Sequence, residues 1–280
     1  MGLGGFGPIG AFWHDAAIAI LVFSIDPRTL SPMPSQFIDI ATSDGLCDAY
    51  LAYPDGAGPF PAVLFYMDAI GFRPTVHRMA DRLASNGYAV LLPNLFYRRV
   101  RGQPWSIQDV FKPENRPKLM EYVRSLTPEL ILKDAGAFLG FLSARPEVNT
   151  AAKVGLTGYC MGGVMAVRTA AHYPDRIGAA ACFHGARLAT DAPDSPHLVL
   201  GNIGAELYFG HADKDEHMTA ADIARLDDAL VAAGVRFTSE VYTGALHGYT
   251  MADGPVYNEQ ATEKHWRSLL ELFSRSLRPG

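Results

Sequence analysis

The sequence predicts a doubly wound, mostly parallel α/β sheet with helices on both faces. Short runs such as Ala62-Val63-Leu64-Phe65-Tyr66-Met67 are apolar throughout, as suits strands covered on both sides. Segments with helical spacing alternate with these runs as far as the C-terminus. No linker or shift in composition divides residues 33–280, so they are expected to form one domain. A chain of 280 residues, 49% hydrophobic, can bury a core of that size.

Residues 37–53 alternate apolar and polar in part around Asp44-Gly45, the pattern of a β-hairpin. The run at 62–67 is a buried strand. Val76, Met79, Ala80, Leu83 and Ala84 give an amphipathic helix from Pro74, stopped by Asn86-Gly87. Tyr88 to Leu92 is the next strand, closed by Pro93. Residues 94–126 show no clean period and are expected to form a long loop at the carboxyl end of a strand, where α/β folds put substrate contacts. A helix over 128–143 precedes a strand from Val154 and a helix running to Tyr173-Pro174. Strands at 177–183 and 205–209 flank a loop over 186–202. Thr219 caps a helix to Ala233, a strand spans 237–242, and an amphipathic helix covers 258–277.

A net charge of -5 argues against a nucleic-acid partner, which would need a clustered basic surface. Three cysteines, Cys47, Cys160 and Cys182, lack the spacing of a zinc site or disulfide scaffold and fit a reducing, cytoplasmic setting. The apolar stretch over 11–23 is short, is broken by His14 and Asp15, and has no basic residue before it, so no membrane span or signal is expected. Residues 1–32 are expected to be a poorly ordered extension, with Met33-Pro34-Ser35 a natural start for the domain.

The stretch that carries chemistry is Gly158-Tyr159-Cys160-Met161-Gly162-Gly163. An apolar strand, Gly-x-Cys-x-Gly and a helix in succession match the nucleophile elbow of α/β-hydrolases, here with a thiol. The Met161 amide would open the helix and serve as an oxyanion donor, with the Ala69 backbone as the second. A thiol nucleophile needs a base and a group to orient that base. Asp213 and His247 follow Cys160 at strand ends in the order this fold uses, with Asp215 ranked second as the acid. Asp68, at the end of a buried strand, is either a loop-capping acid or a group that modulates the thiol. The structural alternatives are a small buried thiol at Cys160, a turn residue at Asp213 and a core histidine at His247.

Taken together, Gly158 to Gly163, Met67-Asp68-Ala69-Ile70-Gly71, residues 86–96, Gly210-His211-Ala212-Asp213 and His247-Gly248-Tyr249 resemble the dienelactone hydrolase family, over about residues 37–277. The resemblance implies a triad of Cys160, Asp213 and His247. It also implies no metal or organic cofactor, and hydrolysis of a small lactone or ester through a thioester. Asp68 stands where the family usually has glutamate, one methylene longer. Arg98 falls where the first of two carboxylate-gripping arginines is expected, whereas Met251 occupies the place of the second. An ester or lactone other than a dicarboxylate-like dienelactone is the expected substrate. The assembly is expected to be a monomer or small homo-oligomer. A glutamine amidotransferase would have an acid where Tyr249 stands, and a non-catalytic binding or thiol-sensing scaffold would not need all three triad residue types.

Overall fold

The computed structural model describes residues 1, 2 and 34–277. The extension expected over 1–32 therefore lies, apart from its first two residues, outside the described part of the chain. All the elements belong to the unit Met33–Gly280.

Eight strands form one sheet: β1 (Ser35–Thr42), β2 (Gly45–Ala52), β3 (Ala62–Tyr66), β4 (Ala89–Pro93), β5 (Val154–Tyr159), β6 (Ile177–Phe183), β7 (Glu206–Ala212) and β8 (Phe237–Tyr242). Their order is β1-β2-β4-β3-β5-β6-β7-β8. The β1–β2 hairpin is antiparallel and β2 runs antiparallel to β4, while every pairing from β4 to β8 is parallel. The expected mixed, mostly parallel sheet is present. β3, β4 and β5 are buried along their whole length, which is why their sequences show apolar runs rather than alternation.

The helices are α1 (Pro74–Ala84), α2 (Ile107–Val110), α3 (Arg116–Arg124), α4 (Pro128–Ser143), α5 (Met161–His172), α6 (Ala220–Ala232) and α7 (Glu259–Leu277). Thr219 and Asp222 close α6 with a reciprocal capping box, each side chain accepting from the other's backbone amide. The region 94–126, expected to be loop throughout, folds in part: α2, a 3-10 turn over Pro113–Asn115 and α3 lie within it. A second 3-10 turn, Pro196–Asn202, forms in the expected loop before β7.

The start of the 94–126 excursion is tied down by buried polar contacts. Asn94 donates from Nδ2 to both carboxylate oxygens of Asp48, at 3.1 and 3.2 Å, and the Gly102 amide donates to Asp48 Oδ2 at 2.7 Å. With these groups satisfied, the loop leaves the carboxyl end of β4 in a fixed direction and arches back to α4.

Candidate active site

β5 ends at Tyr159 and α5 begins at Met161, so the turn between them consists of Cys160 alone. Cys160 has φ 53° and ψ −116°, a conformation that costs a non-glycine residue about 1–3 kcal/mol. Packing enforces it. A methyl group on Gly162 would overlap the carbonyl oxygens of Tyr66 and Met67, and one on Gly158 would overlap the Gly162 carbonyl. The glycines bring α5 down against β3 and β5, which lifts the thiol above the carboxyl edge of the sheet.

Cys160, His247, Asp68, Ala69 and Met161 all line one cavity of about 850 Å³. The expected residues are thus brought together, with two exceptions. The carboxylate that holds His247 is Asp215, whose Oδ2 lies 2.6 Å from Nδ1 of the imidazole. Asp213, the first choice from sequence, instead accepts from the Gly244 amide at 3.0 Å, while its own amide donates to the Ala245 carbonyl at 2.6 Å. Asp213 therefore stitches β7 to the loop after β8. Lys214, at φ 53°, swings the chain so that the next residue, and not the one at the strand end, points to the histidine. The His217 amide completes Asp215 by donating to its Oδ1 at 2.8 Å.

The second exception is Arg98. Its guanidinium is held by Asp134 at 2.7 and 2.8 Å and by Asp44 at 2.7 and 2.9 Å, and it lies over the Tyr97 ring at 4.5 Å. It clamps the β1–β2 hairpin to α4 and is not on the cavity wall. Met251 does line the cavity, so neither position of the expected arginine pair offers a guanidinium there. Asp68 is likewise engaged: Arg73, 1% exposed, grips both of its oxygens at 2.6 and 3.0 Å, and also holds Asp253 at 2.8 Å. A carboxylate gripped in this way acts as a loop brace; modulation of the thiol by Asp68 is left without a contact to support it.

Burial disfavours a charged imidazole at His247, but the hydrogen bond to Asp215 and the neighbouring Cys160 thiol outweigh it and raise its pKa from 6.5 to about 10. Its Nε2 is buried and makes no hydrogen bond in this resting geometry, leaving it free to meet the thiol. Two further histidines, which sequence reasoning did not assign, surround it. The His184 ring is 5.4 Å away, fully buried and held neutral by that burial, with Nε2 2.7 Å from Thr250 Oγ1. The His217 ring packs edge-on at 4.8 Å. The other two cysteines, Cys47 and Cys182, are buried, and burial pushes both thiols up. Among the described residues no group of three or more His, Cys, Asp or Glu side chains is arranged to hold a metal, and no helix is long and apolar enough to cross a membrane.

The chain is similar to known proteins over most of its length. The chain is 29% identical over 241 residues to the "Putative carboxymethylenebutenolidase" of Methylorubrum extorquens, covering 84% of this chain and 79% of that protein. It is 27% identical to the protein of the same name from Synechocystis sp., covering 89% of this chain and 97% of the relative. Among solved structures, the dienelactone hydrolase-like promiscuous phosphotriesterase P91 from metagenomic libraries superposes with a TM-score of 0.73 at 22% identity, over 88% of this chain and 99% of the other. The Anabaena variabilis dienelactone hydrolase does so with a TM-score of 0.63 at 21% identity, over 88% and 99%. These likenesses establish the α/β-hydrolase fold. Residues 47–277 match the description of the dienelactone hydrolase family, and the chain belongs to that family of lactone and ester hydrolases.

Proposed function

We propose that this hydrolase cleaves a small lactone or carboxylic ester with Cys160 as nucleophile, His247 as proton carrier and Asp215 as the acid that orients it. The observation that carries the proposal is a strained cysteine on a strand-to-helix turn, sharing one cavity with a histidine whose far nitrogen is held at 2.6 Å by a buried carboxylate. His247, oriented by Asp215, takes the proton of the Cys160 thiol, so that sulfur attacks as the thiolate.

The sulfur attacks the carbonyl carbon and a C–S bond forms. The displaced electron pair goes to the carbonyl oxygen, within reach of the Met161 amide at the N-terminus of α5 and the Ala69 amide after β3. On collapse the C–O bond to the leaving oxygen breaks, and His247 Nε2–H gives that oxygen its proton. In a lactone the new hydroxyl stays tethered to the acyl group. Water then gives a proton to His247 and attacks the thioester, the C–S bond breaks, and the acid product leaves with thiolate and imidazolium restored. Throughout, Asp215 keeps the proton on Nδ1, so that Nε2 alone exchanges. The sequence of steps calls on no metal or organic cofactor. The free thiols suit a reducing compartment, and we place the enzyme in the cytoplasm.

The test is steady-state hydrolysis of aryl esters and lactones by wild type, Cys160→Ala and Cys160→Ser, with mass spectrometry of the quenched protein. Loss of activity in Cys160→Ala, and an acyl adduct on the Cys160 peptide of wild type, support the proposal. Full activity in Cys160→Ala refutes it.

A further inference from the structure

The cavity extends well beyond the reacting groups, and its far wall is built unusually. α3 has no buried residue, yet Leu119, Met120 and Val123 on it face the cavity. The helix is fixed from its other side by Tyr122, whose ring lies 5.4 Å from Phe96 and 5.3 Å from Trp105. Val123 packs partly against the core, while Leu119 is half-buried and Met120 exposed on the cavity wall. Phe111 and Met120 remain 56% and 36% exposed although both are on the lining. Ile131 on α4 and Val164 and Met165 on α5 supply the opposing apolar surface. Exposed apolar side chains gathered around a concavity mark a surface that a ligand covers.

The charges on this lining do not compete. Asp68 is neutralised by Arg73, and Arg168 is held by Asp194, its guanidinium 3.5 Å from the Asp194 carboxylate and hydrogen-bonded to the Asp194 carbonyl. Arg116 and Arg187 have no carboxylate partner among the described residues, but both are exposed, where water screens a single ion pair to little value. Met251 leaves the space beside the histidine loop apolar as well.

We infer that the cavity selects esters by a bulky uncharged group lodged under α3, rather than by a carboxylate. The inference rests on the hydrolase proposal above and names the substrate class of that same site. An apolar chain passing from Cys160 toward Leu119, Met120 and Val123 would bury itself and the exposed face of α3 together.

The experiment measures kcat/KM for p-nitrophenyl acetate, butyrate and hexanoate, and for the mono-p-nitrophenyl ester of adipic acid, which matches hexanoate in length but ends in a carboxylate. All are kept below their aggregation limits. Burial of each methylene is expected to raise kcat/KM by up to about fourfold, so hexanoate should exceed acetate by about tenfold or more. Hexanoate should exceed the carboxylate-ended ester by a similar factor. Met120→Arg, at a half-exposed helical position that tolerates charge, should cut the hexanoate-to-acetate ratio about threefold or more and raise the relative rate of the carboxylate-ended ester. Cys160-dependent hydrolysis with equal kcat/KM along the series, a preference for the carboxylate, or a ratio unmoved by Met120→Arg overturns the inference while the hydrolase proposal stands. Absence of Cys160-dependent hydrolysis of any of the four esters overturns both.

Discussion

Replacing Asp215 with asparagine separates the two candidate acids. The side chain keeps its shape, so Oδ1 still accepts from the His217 amide, but the atom facing His247 becomes an amide donor where an acceptor stood at 2.6 Å. The imidazole must then offer an unprotonated Nδ1, which moves the proton to Nε2 and removes the base from the side that faces Cys160. The magnitude follows from the electrostatics. A rise in the His247 pKa from 6.5 to about 10 corresponds to about 5 kcal/mol of preference for the imidazolium. That preference is net of burial, which opposes it, and Asp215 and Cys160 supply the favourable part. Loss of the base at Nε2, with the geometry otherwise kept, is expected to lower kcat/KM by about 10²–10⁴. The alkaline limb of the kcat/KM profile should also fall from near pH 10 toward the ordinary imidazole range. Asp213→Asn keeps an oxygen for the Gly244 amide and should stay within about threefold of wild type. The assay is kcat/KM for an aryl ester from pH 5 to 10.5 in all three proteins. A larger loss from Asp213→Asn than from Asp215→Asn, or an alkaline limb unmoved in Asp215→Asn, would refute the assignment.

Arg98→Ala should leave kcat/KM within about threefold of wild type yet cost about 2 kcal/mol of stability, because Asp134 loses its cation while almost wholly buried; urea unfolding and ester kinetics on one preparation check both. Gly162→Ala should destabilise by more than about 3 kcal/mol or fail to fold, since its methyl meets two backbone carbonyls that cannot move aside, whereas Gly140→Ala, open to solvent on α4, should be neutral or slightly stabilising. Denaturation midpoints of the two variants decide. In acid, His77 and His211 are depressed to about 4 and His265 to about 3, each chiefly by burial, against 6.5 unfolded. Their stabilising contribution is complete above about pH 6.5 and is lost as pH falls toward 4, since the unfolded chain then binds more protons. His77→Phe, within the ring cluster of Phe37, Tyr50 and Phe72, should flatten that slope by about 1.4 kcal/mol per pH unit. An unchanged slope would contradict the account. His247, being raised, runs the other way and loses its contribution between about pH 6.5 and 10.

The strands were legible because burial on both faces leaves apolar runs with no polar interruption, and the elbow because its glycines are required by backbone contact rather than by side-chain chemistry. α3 was not legible for the reason that makes it interesting: with no buried residue, it imposes no apolar periodicity on its sequence. The carboxylate that reaches His247 lies two positions beyond the strand-end choice because strand ends can be read from sequence while the left-handed turn at Lys214 cannot. Arg98 was misassigned because its partners lie 36 and 54 residues away, on elements whose approach only the folded chain reveals.

Arg73 escapes sequence reading for the same reason, and its contacts brace two of the loops that line the cavity. Asp68 follows β3 directly, in the loop that carries Ala69. Asp253 lies six residues beyond His247. One buried guanidinium grips both, and also donates to the Gly71 carbonyl at 3.0 Å. The loop that carries Ala69 is thereby fixed to the loop that carries His247, two segments with no strand pairing between them. A buried ion pair of this kind adds little net stability, because desolvation offsets the attraction, but it has few alternative geometries and so sets position. In this chain the carboxylate at the end of β3 is held by Arg73 and braces the loop after β3 against the loop after β8.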